Sequence, residues 1–114
     1  MIITKQTADH YQWGDKCDGW YFAKNKNQTV ILEKMPPHTQ ENRHYHKQAH
    51  QFFFIITGTA TIEISNEIFT LHSQQGIEIT PGLPHQIFNK SDADIEFLVI
   101  TQPPSKGDRF DCES

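Results

Sequence analysis

Only two cysteines occur in the 114 residues, Cys17 and Cys112, near opposite ends of the chain. They form no C-x-x-C pair, which excludes a thiolate metal cluster or a dithiol redox motif as the centre of the chemistry, and both are read as reduced thiols. An excess of positive charge is also lacking. Ten Lys and Arg face fourteen Asp and Glu, for a formal net charge of -4, so no basic stripe exists to release counterions from a phosphate backbone and no nucleic-acid partner is expected. No run approaches the ~20 apolar residues of a membrane-spanning helix, and mean hydropathy is -0.62, so no membrane partner is expected either. The opening stretch MIITKQTADH has neither the basic head nor the apolar run of a secretory signal, and the expected location is cytoplasmic. Helical periodicity, internal repeats and low-complexity segments are missing as well.

What the sequence does contain is short apolar runs spaced by turn residues. From Val30 to Ile100 the dominant period is two, which sends alternate side chains to opposite faces of a sheet. The expected strands are Thr29 to Met35, His44 to His46, Gln51 to Thr57, Ala60 to Ser65, Glu67 to Leu71, Gly76 to Ile79, His85 to Asn89 and Ile95 to Thr101, all rich in Ile, Phe, Val or Thr. Turn chemistry marks the joints: Pro36-Pro37, Thr57-Gly58-Thr59, Ser65-Asn66, Ser73 to Gly76, Pro81 to Pro84, and Asn89 to Asp92.

Short strands at this spacing predict an all-β barrel or sandwich. The length suits one domain of ~100–150 residues, divided as residues 1–28 (edge strands and cover around Ile2-Ile3 and Trp20-Tyr21-Phe22), 29–101 (barrel) and 102–114. In the last segment Pro103 and Pro104 stop the ladder, leaving a tail that can lie across a barrel mouth.

Seven histidines are present. His44 and His46 lie two apart, so on a strand both imidazoles point to one face. Gln51 follows five residues after His46, and His85 arrives in Pro81-Gly82-Leu83-Pro84-His85. Imidazole nitrogen suits Zn, Fe, Ni, Cu and Mn, and an amide oxygen adds a neutral acceptor. A shell of three His and one Gln would leave a divalent ion's charge uncompensated, making it a strong Lewis acid. His10, His38 and His72 are read as surface or hydrogen-bonded residues, and His50 stays ambiguous beside Gln51.

Two segments carry a resemblance. H-Y-H-K-Q-A-H-Q-F-F-F-I-I-T-G (His44 to Gly58) and T-P-G-L-P-H-Q-I-F-N (Thr80 to Asn89) resemble the two motifs of the cupin superfamily. In the first, His44, His46 and Gly58 match and Gln51 stands at the family's Glu position. In the second, Gly82, His85 and Asn89 match, with Thr80 in the proline place. The resemblance implies an antiparallel β-barrel of two sheets, a jelly roll or double-stranded β-helix. It also implies one divalent metal ion (Zn, Fe, Ni or Mn) held inside by His44, His46, Gln51 and His85.

Strand parity then sends Phe53 and Ile55 inward beside Gln51, Ile87 and Asn89 beside His85, and Leu98 and Ile100 inward on the last strand, giving an apolar cavity around the metal. Core packing is the alternative for the apolar ones, and turn closure for Asn89. His50, Asp108 and Arg109 are the catalytic candidates, Arg109 as a carboxylate clamp if the tail folds back. Glu33 and Tyr45 are the other titratable candidates, with Tyr45 facing away from the metal.

The function expected is a metal-dependent enzyme of isomerase or lyase type acting on a small oxygenated, sugar- or keto-acid-like metabolite. An Fe-dependent dioxygenase and a non-catalytic small-molecule-binding module are the alternatives. The expected partner besides the small molecule is a second copy of the chain, in a homodimer joined through the aromatic start: Tyr11, Trp13, Trp20, Tyr21 and Phe22.

Overall fold

The computed structural model describes residues 1–112, so Glu113 and Ser114 of the expected tail lie outside the described residues. Twelve strands run β1 (Asp9–Trp13), β2 (Cys17–Lys24), β3 (Thr29–Met35), β4 (Thr39–Gln40), β5 (His44–Tyr45), β6 (His50–Thr57), β7 (Ala60–Ile64), β8 (Glu67–Leu71), β9 (Gly76–Ile79), β10 (His85–Asn89), β11 (Ile95–Gln102) and β12 (Phe110–Asp111). They build two antiparallel sheets, in the orders β1-β2-β3-β11-β6-β9 and β12-β5-β10-β7-β8, with β4 also paired to β10. The fold is the all-β double-stranded β-helix. No helix among the described residues is long and apolar enough to cross a membrane.

The expected strands appear within a residue or so of their predicted ends. Between β7 and β8 the chain reverses through Ser65 and Asn66, both with positive φ (49° and 73°), the backbone of a two-residue hairpin that Asn tolerates well. At the β6–β7 turn Gly58 has φ 88°, and a Cβ there would fall 2.7 Å from Ile95 Cγ2, so only glycine lets β6 close against β11.

Alternation packs the two inner faces together around Phe97, Met35, Ile55, Ile62, Ile79, Ile87 and Ile95, all fully or almost fully buried. Burial of these side chains is the main favourable term, at about 1.5–3 kcal/mol each.

Three parts depart from expectation. Ile2 and Ile3 join no strand, and Ile2 is exposed; the N-terminal edge is instead the hairpin β1–β2 hydrogen-bonded to β3. Asp9–Trp13 is too polar to read as a strand and forms because β2 offers a free edge. β4 and β12, two residues each, exist only through their partners. On β11 the phase is the reverse of that expected: Ile95, Phe97, Val99 and Thr101 point inward, whereas Leu98 and Ile100 take the opposite face.

Candidate metal centre

His44 on β5 and His85 at the start of β10 are direct cross-strand partners, and His46 follows one residue beyond β5. The three rings are buried, with centroids 4.4 Å apart for His44–His85, 5.0 Å for His44–His46 and 5.5 Å for His46–His85. One ligating nitrogen from each lies within 4.8 Å of the others.

Their protons are fixed by backbone carbonyls. His44 Nδ1 donates to Asn42 O (2.7 Å), His46 Nδ1 to Asp108 O (2.5 Å) and His85 Nδ1 to Leu83 O (2.9 Å). A carbonyl only accepts, so each Nδ1 carries the hydrogen and each Nε2 keeps its lone pair, the tautomer a metal ligand needs. Burial, with the neighbouring imidazoles and Arg109 adding to it against the carbonyl contacts, pushes His44 down to about 3 and His85 to about 4. Both are therefore neutral donors at physiological pH.

Two features show that the donor set fits a cation. His46 Nε2 is buried without a hydrogen-bond partner, a costly arrangement unless something accepts its lone pair. Gln51 donates its amide Nε2 to Thr101 Oγ1 (3.1 Å), which turns Oε1 to His85 Nε2, also 3.1 Å away. Two acceptors at that distance repel unless a positive charge lies between them. The separation is also about that of adjacent ligands around a metal with ~2.1 Å bonds.

Neighbouring strands position this arrangement. Gln51 and Thr101 are register partners across β6–β11. The tail strand β12 pairs with β5, stacking Phe110 on Tyr45, whose ring centroid is 5.4 Å away. The carboxylate of Asp108 accepts from the amides of Lys47 (2.7 Å), Gln48 (3.0 Å) and Ala49 (3.0 Å). One residue thus clamps the loop between two ligands and orients His46 through its own carbonyl.

A cavity of about 420 Å³ opens onto the centre, lined among others by His44, His46, Gln51 and Phe53; His85 is buried against these ligands. Its character is more polar than expected. Glu33, Glu41 and Arg109 line it with Tyr11, Trp13 and Tyr21 of the N-terminal hairpin. Burial first, against the Tyr11 hydroxyl and the Arg109 charge, pushes Glu33 up to about 7. Burial and then the Glu33 charge push Glu41 up to about 8. Glu41 Oε2 accepts from the Ile87 amide at 3.0 Å.

The expected site residues divide accordingly. His44, His46, Gln51, Phe53 and Arg109 meet at the cavity. Ile55 and Ile87 belong to the core, and Asn89 ties a turn, its Nδ2 donating to the carbonyls of Met35, Pro36 and Ala93. Leu98 and Ile100 are replaced at the cavity by Val99 and Thr101, because β11 has the opposite phase. His50 is exposed and faces away from the ligands, since its neighbour Gln51 points in. Asp108 spends both carboxylate oxygens on amides, which removes it as a proton carrier. Tyr45 faces away as parity required. Tyr11, Trp13 and Tyr21 of the aromatic start line the cavity. Glu41, which no sequence motif marks, lies in the polar β4–β5 connection, whose path sequence periodicity does not trace.

A family model described as "Cupin domain" matches residues 31–101. Polyketide synthase CurC from Streptomyces cyaneus is 25% identical over 72 residues, covering 63% of this chain and 47% of that protein. The chain spans less than two thirds of the length of the curated relatives it matches. Among solved structures, a sugar phosphate isomerase of the cupin superfamily from Silicibacter pomeroyi superposes with a TM-score of 0.81 at 16% identity, covering 91% of this chain and 76% of that one. KdgF from a Halomonas species does so with a TM-score of 0.83 at 12% identity, covering 91% and 94%.

Proposed function

The chain belongs to the cupin family, and on that premise we propose that it is a metal-dependent enzyme converting a small oxygenated, sugar- or keto-acid-like molecule by isomerase- or lyase-type chemistry. The observation that carries this reading is the set of three Nε2 lone pairs held toward one another by three backbone carbonyls, at the edge of a cavity lined by two carboxyl groups and an arginine. A divalent ion there would supply a Lewis acid for a substrate oxygen, strong because all four protein donors are neutral.

The chain's own residues account for the rest. Arg109, half-exposed beside the cavity, suits a carboxylate or phosphate group, to which its fork can bond twice. Tyr11, Trp13 and Tyr21 offer ring faces and polar tips to a hydroxylated molecule. Glu33 and Glu41 supply groups that change protonation near neutral pH. The likeness in fold to a sugar phosphate isomerase supports the substrate class.

Elemental analysis of the purified protein is expected to find about one divalent ion per chain. His85→Ala is expected to lose it with the far-ultraviolet spectrum unchanged. Unchanged metal content in that variant would overturn the assignment of the centre. A metal-loaded protein that converts nothing in a panel of sugar phosphates, free sugars and 2-keto acids would overturn the reaction class.

A further inference from the structure

Three residues on adjacent strands form one row: Tyr11 on β1 is the register partner of Gly19 on β2, and Gly19 of Glu33 on β3. A Cβ at Gly19 would lie 2.2 Å from Tyr11 Cζ. Only because position 19 has no side chain can the phenol ring lie over β2, where its hydroxyl donates to Glu33 Oε2 at 3.0 Å, two strands away. The row continues into Phe97 on β11, the register partner of Glu33 on its other side and fully buried. A glutamate next to a core phenylalanine forgoes the packing an apolar side chain would provide.

How this carboxyl is partnered separates it from a structural one. Glu63 spends both oxygens, one on Arg43 Nε and the other on Arg43 Nη2 and the Asn66 amide. Glu33 spends one. Among the described residues nothing bonds its Oε1, and Glu33 lines the cavity that His44, His46 and Gln51 also line. The titratable and charged groups facing it are Tyr11 from β1, Cys17 and Tyr21 from β2, Glu41 from the β4–β5 connection and Arg109 from the tail, with His44 and His46 across the same cavity. A carboxyl oriented by one oxygen with the other turned to a ligand cavity is the arrangement of a general acid–base.

We propose that Glu33 is the proton-transfer residue of this pocket, with Tyr11 as its positioning residue, and that the substrate carries a C–H bond beside a carbonyl. This rests on the isomerase or lyase reading above. In the step, the Glu33 carboxylate takes the proton from the carbon next to the carbonyl. The C–H electron pair becomes a carbon–carbon double bond, while the carbonyl π pair moves to its oxygen, which takes a proton from solvent water, giving an enol, or an enediol where the deprotonated carbon bears a hydroxyl. From the enediol, protonated Glu33 returns its proton to the adjoining carbon as the second hydroxyl gives its own back to solvent and becomes the new carbonyl. The net change is a hydrogen shift between neighbouring carbons, with no oxidant or reductant consumed.

The test is deuterium incorporation at carbon from heavy water, followed by proton NMR, with metal-loaded protein and four probes: ribose 5-phosphate, fructose 6-phosphate, glyceraldehyde and pyruvate. Glu33→Gln is expected to lose about 100-fold or more in exchange rate, with metal content retained and a melting temperature no lower than that of wild type. Tyr11→Phe is expected to lose less and to move the acidic limb of the pH profile upward, because the lost hydrogen bond favours the carboxylate. A purely structural Tyr11 would leave that limb in place.

Metal-free protein carrying ¹³C-labelled Glu carboxyls supplies a readout apart from turnover. The resonance missing from Glu33→Gln is expected to titrate near neutrality and to rise in Tyr11→Phe. Wild-type exchange that Glu33→Gln leaves within threefold overturns the role of Glu33 alone. A wild-type protein that holds its metal yet exchanges no probe overturns the reaction class, and the Glu33 role with it.

Discussion

Glu33→Gln should make the metal-free protein clearly more stable at pH 8.5 while changing it much less at pH 5. The carboxyl is raised from 4.5 to about 7, chiefly by burial. A folded-state pKa above the unfolded one means the native state holds its proton more tightly. The stabilisation is therefore fully present below about pH 4.5 and is lost as pH rises through about 7. Ionising this group inside the fold costs about 3 kcal/mol more than in the unfolded chain.

Glutamine is the informative replacement because its Oε1 still accepts from Tyr11 and it adds no charge. Urea unfolding followed by Trp13 and Trp20 fluorescence at the two pH values reads the difference directly. The variant is expected to gain about 2–3 kcal/mol over wild type at pH 8.5, about 10 °C in melting temperature, and less than about 1 kcal/mol at pH 5. Glu41, raised to about 8 by burial and then by the Glu33 charge, keeps a residual pH dependence in the variant. Equal unfolding free energies for wild type and variant at pH 8.5 would refute the claim that this carboxyl is desolvated.

Asp108→Ala removes the carboxylate that caps the amides of Lys47, Gln48 and Ala49. It should free the tail that orients His46 and weaken metal affinity by about 10-fold or more, as loss of a group supporting a ligand does. Metal competition against a chelating dye checks this, and unchanged affinity would show that the tail does not set the ligand geometry. Phe97→Ala empties the centre of the core, where Phe97 is fully buried and stacks against Phe53 with ring centroids 5.8 Å apart. It should cost about 3–5 kcal/mol in chemical denaturation, and a loss below 1 kcal/mol would mean that the two sheets close over the gap.

The strands Thr29–Met35, Glu67–Leu71, Gly76–Ile79 and His85–Asn89 were legible to the residue, because a two-residue period and the turn residues at each joint are local properties. The ligand triad was legible for the same reason: His44 and His46 share a strand face, and the motif spacing supplied His85. On β11 legibility failed. The segment Ile95–Gln102 is apolar at nearly every position, so its hydrophobicity carries no phase. The pairing of Thr101 with Gln51 decides that Val99 and Thr101, and not Leu98 and Ile100, face the centre.

By itself, then, the sequence determined the all-β class, the family and three imidazole donors, each encoded within a few residues of chain. The tertiary structure alone decided what surrounds them. Glu33 receives its hydrogen bond from Tyr11 only because Gly19 leaves room for the ring to cross β2. Asp108 becomes a clamp, and Arg109 a cavity residue, only because the tail folds back onto β5. The hydrogen bonds of Tyr11 and of the Asp108 carboxylate join residues up to 61 positions apart, and their partners are set by how the sheets close, a property that no local pattern of side chains encodes.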